Sequence, residues 1–188
     1  MIQRVGTISI DEFNRMIAAG YFDRVTQRVD LIRGELVYMS PASPMHDEVL
    51  TRVESWSEKW APTVGYRKRS EKGVELPPLV SVPEPDVVWV KDKDYMTVKP
   101  QAADVGLLIE VAKSSLDDDR RELTPLYAEA GVPEYWIVNC LEHCVEVHRK
   151  LVDDEYTEQL TVDVGERISP LVAPQAVLDV AALFARRG

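Results

Sequence analysis

Two carboxylates stand at the ends of apolar runs. Asp86 follows Pro85 and opens the run Val87-Val88-Trp89-Val90, and Glu110 closes the run Val105-Gly106-Leu107-Leu108-Ile109. Side chains alternate along a strand, so Leu108, Glu110 and Ala112 share one face and Leu107, Ile109 and Val111 the other. Burying a carboxylate is costly unless it is hydrogen-bonded, paired with a cation or bound to a metal. Two of them at strand ends suit a hard divalent cation, since Mg²⁺ is held by one or two carboxylates together with waters and phosphate oxygens. A purely structural alternative stands beside this one: Asp86 bonds backbone amides where its strand begins, and Glu110 pairs with a nearby arginine or lysine.

The elements that must position the pair follow from periodicity. Thr7 to Ala19 reads as a helix with Asp11-Glu12 in its first turn and Gly20 as its stop. Two short strands flank Arg33-Gly34 and run into a proline-bounded loop. Val49, Leu50, Val53, Trp56 and Trp60 give the stretch from His46 to Trp60 helical spacing, ended near Pro62. Tyr66 to Val80 reads as extended chain, Asp86 to Val90 and Val105 to Val111 as strands, and Asp117 to Ala130 as a helix stopped by Gly131. Glu134 to Asn139 is a further strand, returned by His143 to Arg149 as a hairpin. A weaker strand follows around Tyr156 to Val162, and Val177 to Arg186 reads as a terminal helix. Strands alternating with helices predict an α/β fold, a mixed β-sheet flanked by α-helices.

The chain has 188 residues, 45% of them hydrophobic and 29% charged, which predicts a single domain over residues 1–188 with a sizeable core. No apolar run is long enough to span a membrane and no secretory signal is read at the N-terminus. With two cysteines, Cys140 and Cys144, no disulfide framework is implied, and a cytoplasmic setting is expected. The formal net charge of −10 argues against broad non-specific binding to nucleic acid. Arg67-Lys68-Arg69 with Lys72 is a local basic cluster, readable either as a binding patch or as a solvated strand end.

Five features occur in order along the chain: Asp30 to His46 (DLIRGELVYMSPASPMH, with Gly34-Glu35, Ser40-Pro41 and His46), Pro85-Asp86, Glu110-Val111, Ser114-Ser115, and Leu126 to Asn139 (LYAEAGVPEYWIVN). In these the chain resembles the "putative restriction endonuclease" family of the PD-(D/E)XK nuclease superfamily. The resemblance implies a restriction-endonuclease-like fold and a DNA phosphodiesterase in which Asp86 and Glu110 hold Mg²⁺ or Mn²⁺, with the backbone carbonyl of Val111 as a further ligand. It also implies that His46 and Glu35 lie near the site, and that two copies work as a dimer, since two strands need two sites.

A lysine normally orients the attacking water in such sites and offsets developing negative charge. Two residues after the glutamate stands Ala112, and four before Tyr127 stands Leu123, so neither expected position is basic. Two replacements are available. Lys113 turns toward Glu110 if the strand stops at Ala112, and Arg120 sits one helical turn before Leu123 on the same stripe.

Cys140, His143, Cys144 and His148 have the residue types of a zinc site. In a tight hairpin Cys144 and His148 share a face that His143 does not, so the cysteines read as core residues. The sequence thus supports a Mg²⁺-dependent endonuclease acting on DNA, with Asp86, Glu110 and Lys113 as its catalytic residues and Arg120, His46 and Glu35 as accessories. The alternative is a catalytically inactive nuclease-fold protein that binds nucleic acid or a protein partner.

Overall fold

The computed structural model of the chain describes residues 7–39 and 43–186; Ser40 and Pro41, which carry part of the resemblance, lie outside the described residues. The first helix, α1 (Ile10–Ala18), is started by Ser9. Its side chain accepts from the Glu12 amide while the Glu12 carboxylate accepts from the Ser9 amide, a reciprocal cap. Phe13 of α1 packs with Leu31 and Val82 in a small cluster of its own. β1 (Val29–Ile32) and β2 (Glu35–Tyr38) form a hairpin, closed by Arg33 and Gly34 at φ 50° and 80°, the left-handed pair that a tight two-residue turn requires.

A central sheet of β3 (Tyr66–Arg69), β4 (Val87–Lys91), β5 (Val105–Ala112), β6 (Glu134–Asn139), β7 (Cys144–Val152) and β8 (Glu155–Asp163) is hydrogen-bonded in that same order. Every neighbouring pair is antiparallel except β5 with β6. Parallel neighbours need a crossover. Here it comprises α3 (Leu116–Asp118), a π-helical turn (Asp119–Leu123) and α4 (Thr124–Glu129).

The helix α2 (Pro44–Trp60) covers one face of the sheet. Trp56 lies 5.1 Å from Trp89 and 5.8 Å from Trp136, ring centre to ring centre, over Leu107, Ile109 and Val111. The other face carries Val88, Val90, Leu108, Ala112 and Ile137 against Leu126 and Tyr127 of α4. The two-residue period of β5 is therefore divided between two cores, and all eight of its residues are buried. β5 pairs with β4 through a shift in register between Trp89 and Val90, which leaves Gly106 as the extra residue. A Cβ there would come within 2.5 Å of the Tyr66 ring, so glycine lets that ring lie against β5.

Three expectations need correction. Only Tyr66–Arg69 of the stretch read as extended is a strand; Pro77 and Pro78 lack an amide to donate, and a 3₁₀ turn occupies Pro77–Leu79. The terminal helix is shortened to α5 (Val180–Phe184), because Leu178–Asp179 (β10) pairs with Arg167–Ile168 (β9). The helix read over Asp117–Ala130 is interrupted by its π turn. Among the described residues, no helix is long and apolar enough to cross a membrane.

Candidate active site

β4 begins one residue after Asp86, so Asp86 lies beyond the start of the β4–β5 ladder, opposite the end of β5. The two carboxylates are tied to each other's strand there. The Asp86 amide donates to Glu110 Oε2 at 3.1 Å, and the Val111 amide donates to Asp86 Oδ2 at 2.7 Å. A residue's N–H and C=O leave a strand on the same side. The Val111 carbonyl thus leaves β5 on the same side as its amide, toward Asp86. Pro85, with no donor of its own, delivers the chain to this ledge.

A cavity of about 200 Å³ opens over the pair, lined by Asp86, Glu110, Val111, Lys113, Arg28 and His46 among others. His46, in the first turn of α2, has Nε2 3.3 Å from Asp86 Oδ2, and that contact raises its pKa above the usual histidine range. β5 stops at Ala112, Lys113 begins a bend, and the exposed lysine is among the residues that line the cavity.

Arg120 and Glu35 are not brought there. Arg120 donates from Nε and Nη2 to the two oxygens of Glu146, at 2.9 and 2.7 Å. The expectation that it shares the Leu123 stripe assumed α-helical periodicity, and the π turn widens the spacing at that point. Glu35 is exposed on β2 and lines a neighbouring cavity of about 490 Å³, whose wall is shared with the first through Met39, Ser115 and Asp119. Leu123 also lines this second cavity.

The site holds residues that the sequence reading passed over. Tyr127, fully buried, donates its hydroxyl to Glu110 Oε1 at 3.0 Å. Arg28 bridges two carboxylates, with Nη1 3.6 Å from Asp86 Oδ1 and Nε 3.3 Å from Asp30 Oδ1. Asp119, in the π turn, accepts from the Ser115 hydroxyl at 2.9 Å and lines the cavity. Signals for them existed. Asp119, Leu123 and Tyr127 are spaced by four, which sets an acid on an apolar helical stripe. Arg28 and Asp30 are spaced by two at the start of an apolar strand.

Burial, followed by the charges of Asp86 and Asp119, holds the Glu110 carboxyl well above the usual range. Burial, with Asp86 adding to it, pushes Asp119 up to about 7. Carboxylates forced together out of water make a donor set of hard oxygens whose repulsion a divalent cation relieves. Arg28 offsets only part of that repulsion. The residues present therefore fit a divalent metal, with Asp86, Glu110 and the Val111 carbonyl as the groups that would hold it.

The zinc-type residues do not converge. His143 stacks on Phe184 and His148 on Tyr135, while both cysteines are buried and free. Glu142, Cys144 and Glu146 do bring ligand atoms within 4.8 Å of one another, but Glu146 is already held by Arg120.

No curated protein sequence matches the chain. Among solved structures it is similar to a nuclease of DUF820 from Anabaena variabilis, itself described as "putative", at TM-score 0.75 and 15% identity, over 94% of this chain and 97% of that one. That likeness shows the fold: the mixed α/β sheet is restriction-endonuclease-like. The model of the Uma2 family, described as "Putative restriction endonuclease", matches residues 10–181, and the chain belongs to that family.

Proposed function

We propose that the protein is a divalent-metal-dependent endonuclease that hydrolyses phosphodiester bonds in DNA. The observation that carries this reading is the mutual anchoring of Asp86 and Glu110 at one cavity that Lys113 also lines. Asp86, Glu110 and the Val111 carbonyl would hold Mg²⁺ or Mn²⁺, which would supply a water of lowered pKa and offset charge on the scissile phosphate. The protein's own groups do the rest. Lys113, on the exposed side, orients the incoming phosphate and the attacking water and offsets charge in the transition state. Tyr127 and the Asp86 amide fix the two Glu110 oxygens, and His46 and the Val111 amide fix Asp86. Arg28 holds Asp86 from the other side. On this reading residues 1–188 act as one cytoplasmic domain, and two copies act together as a dimer, one site for each strand.

A second reading has a specific support. Both positions expected to carry the lysine, Ala112 and Leu123, are buried and apolar, as suits a relative that binds without cleaving. One experiment separates the two. Supercoiled plasmid and labelled oligonucleotides are incubated with Mg²⁺ or Mn²⁺ and wild type, Asp86→Ala or Glu110→Ala. Cleavage by wild type and by neither variant is the expected result. Cleavage that survives both substitutions sinks the assignment of the site, and a pure wild-type chain that cuts no substrate favours the binding protein.

A further inference from the structure

We infer that the edge strand β3 presents a phosphate-binding ridge, made by Arg69 and Arg67, which guides the backbone of duplex DNA to the Glu110 cavity. The inference rests on the nuclease reading of that cavity and adds to it the surface by which a chain of net charge −10 approaches a polyanion.

Register decides which cations of the Arg67-Lys68-Arg69 run matter. Arg69 pairs with Val88 and Arg67 with Val90, and Val88 pairs in turn with Leu108. Directly paired residues share a face, so both arginines stand on the Leu108 face, which is also the face of Glu110. Lys68 pairs with Trp89 and points to the opposite face, where its Nζ meets Glu54 and Glu58 of α2 at 2.9 and 3.2 Å. Along the strand, Arg69 lies two residues, or about 7 Å, before the row of Glu110, and Arg67 about 13 Å before it. β3 ends the sheet, so nothing in the sheet covers the ridge on its outer side.

The ridge is held in shape. Tyr95 carries Arg67 at 5.0 Å, Arg69 at 5.6 Å and Lys93 at 5.4 Å from its ring centre. A shared aromatic ring limits the side-chain freedom these cations would otherwise lose on binding. The carboxylates in reach leave positive charge to spare. Lys93 is taken by Asp104 at 2.7 Å, and Arg67 reaches Asp92 at 3.6 Å in a pair exposed on both sides. Such a pair is weak and yields to a phosphate. Among the described residues, no carboxylate lies within 4 Å of Arg69, although burial and the neighbouring Arg67 both disfavour its charge. Two like-charged guanidinium groups mounted side by side, one without a counter-ion, fit successive phosphates of a nucleic-acid strand.

The test is binding without metal. Fluorescence anisotropy follows a labelled DNA duplex about two helical turns long in EDTA, titrated with the full chain across a range of salt. Wild type is compared with Arg67→Ala/Arg69→Ala, with the charge-keeping Arg67→Lys/Arg69→Lys, and with Lys68→Ala, which removes a charge from the other face. The alanine pair should weaken binding on the order of tens of fold near 0.1 M salt and flatten the slope of log K against log salt by about 1.8, the loss of two phosphate contacts. The lysine pair should restore the slope, and Lys68→Ala should bind as wild type. An alanine pair that binds as wild type, a Lys68→Ala loss of equal size, or no binding by wild type overturns the ridge. Plasmid cleavage separates this outcome from the fate of the nuclease reading. A chain that binds through Arg67 and Arg69 and never cuts keeps the ridge and loses the nuclease. One that cuts, while its alanine pair binds unchanged, keeps the nuclease and loses the ridge.

Discussion

Tyr127 and Glu110 are both buried at the heart of the molecule, and the tyrosine hydroxyl donates to the glutamate at 3.0 Å across the space between α4 and β5. One partner is a carboxylate in the candidate site and the other belongs to the core of the crossover. Packing and chemistry therefore share a single hydrogen bond. Tyr127→Phe keeps the ring's packing and removes the donor. It should cost about 1 kcal/mol of stability, the net contribution of one intramolecular hydrogen bond, measured by urea unfolding. A variant as stable as wild type would show that Glu110 does not depend on Tyr127.

The acidic cluster sets the pH dependence of stability. Asp119 titrates near 7 in the folded protein against 3.8 ordinarily, so between those values the folded state holds a proton the unfolded chain has released. Stability must then fall as pH rises through that window. Glu110, also raised, acts in the same direction. His46, raised by Asp86, contributes stability that is present below its ordinary value and is lost as pH rises through its folded one, the same direction again. Urea unfolding from pH 4 to 8 should show the decline, and Asp119→Asn should flatten it and stabilise the protein at the alkaline end. A wild-type curve that rises over this range contradicts the clustering.

Metal binding should reverse part of that cost. At a hundred times its Kd, Mn²⁺ should stabilise wild type by about 2.7 kcal/mol, or about 5–10 °C in Tm. Glu110→Gln should melt above wild type without metal, because it removes the repulsion, and should gain nothing when metal is added. Differential scanning calorimetry reads both. A Glu110→Gln protein that still responds to Mn²⁺ would place the cation elsewhere.

The three cations nearest the question should separate by phenotype. Lys113 is exposed, so Lys113→Ala should leave Tm unchanged and lower cleavage about a hundredfold or more, as removal of one transition-state donor does elsewhere. Arg28→Ala leaves Asp30 and Asp86 buried beside each other without their shared cation, and should cost about 3–5 kcal/mol in the same melts. Arg120→Ala breaks a part-exposed pair with Glu146 and should leave cleavage as in wild type. A Lys113→Ala protein that cuts normally would remove the lysine from the site.

The amino-acid sequence by itself determined most of the elements and half of the site. Apolar periodicity is local, so β4, β5, β6 and α2 were legible from their own residues, and so was the oddity of acids at strand ends. The proline before Asp86 and the small hydroxyl residues after Lys113 likewise act over a few bonds. Tertiary structure alone decided the rest. That Asp86 and Glu110 anchor each other depends on which strands pair and in what register. Arg28 and Asp119 join them from β1's approach and from the crossover, segments distant in the chain, because packing brings those segments to one cavity. Arg120 was turned to Glu146 by a single π turn, a backbone choice that no side-chain period announces. The basic run at Arg67 shows the same division. Its charges are plain in the sequence, but only the pairing of β3 with β4 sends two of them to the Glu110 face and the third to α2.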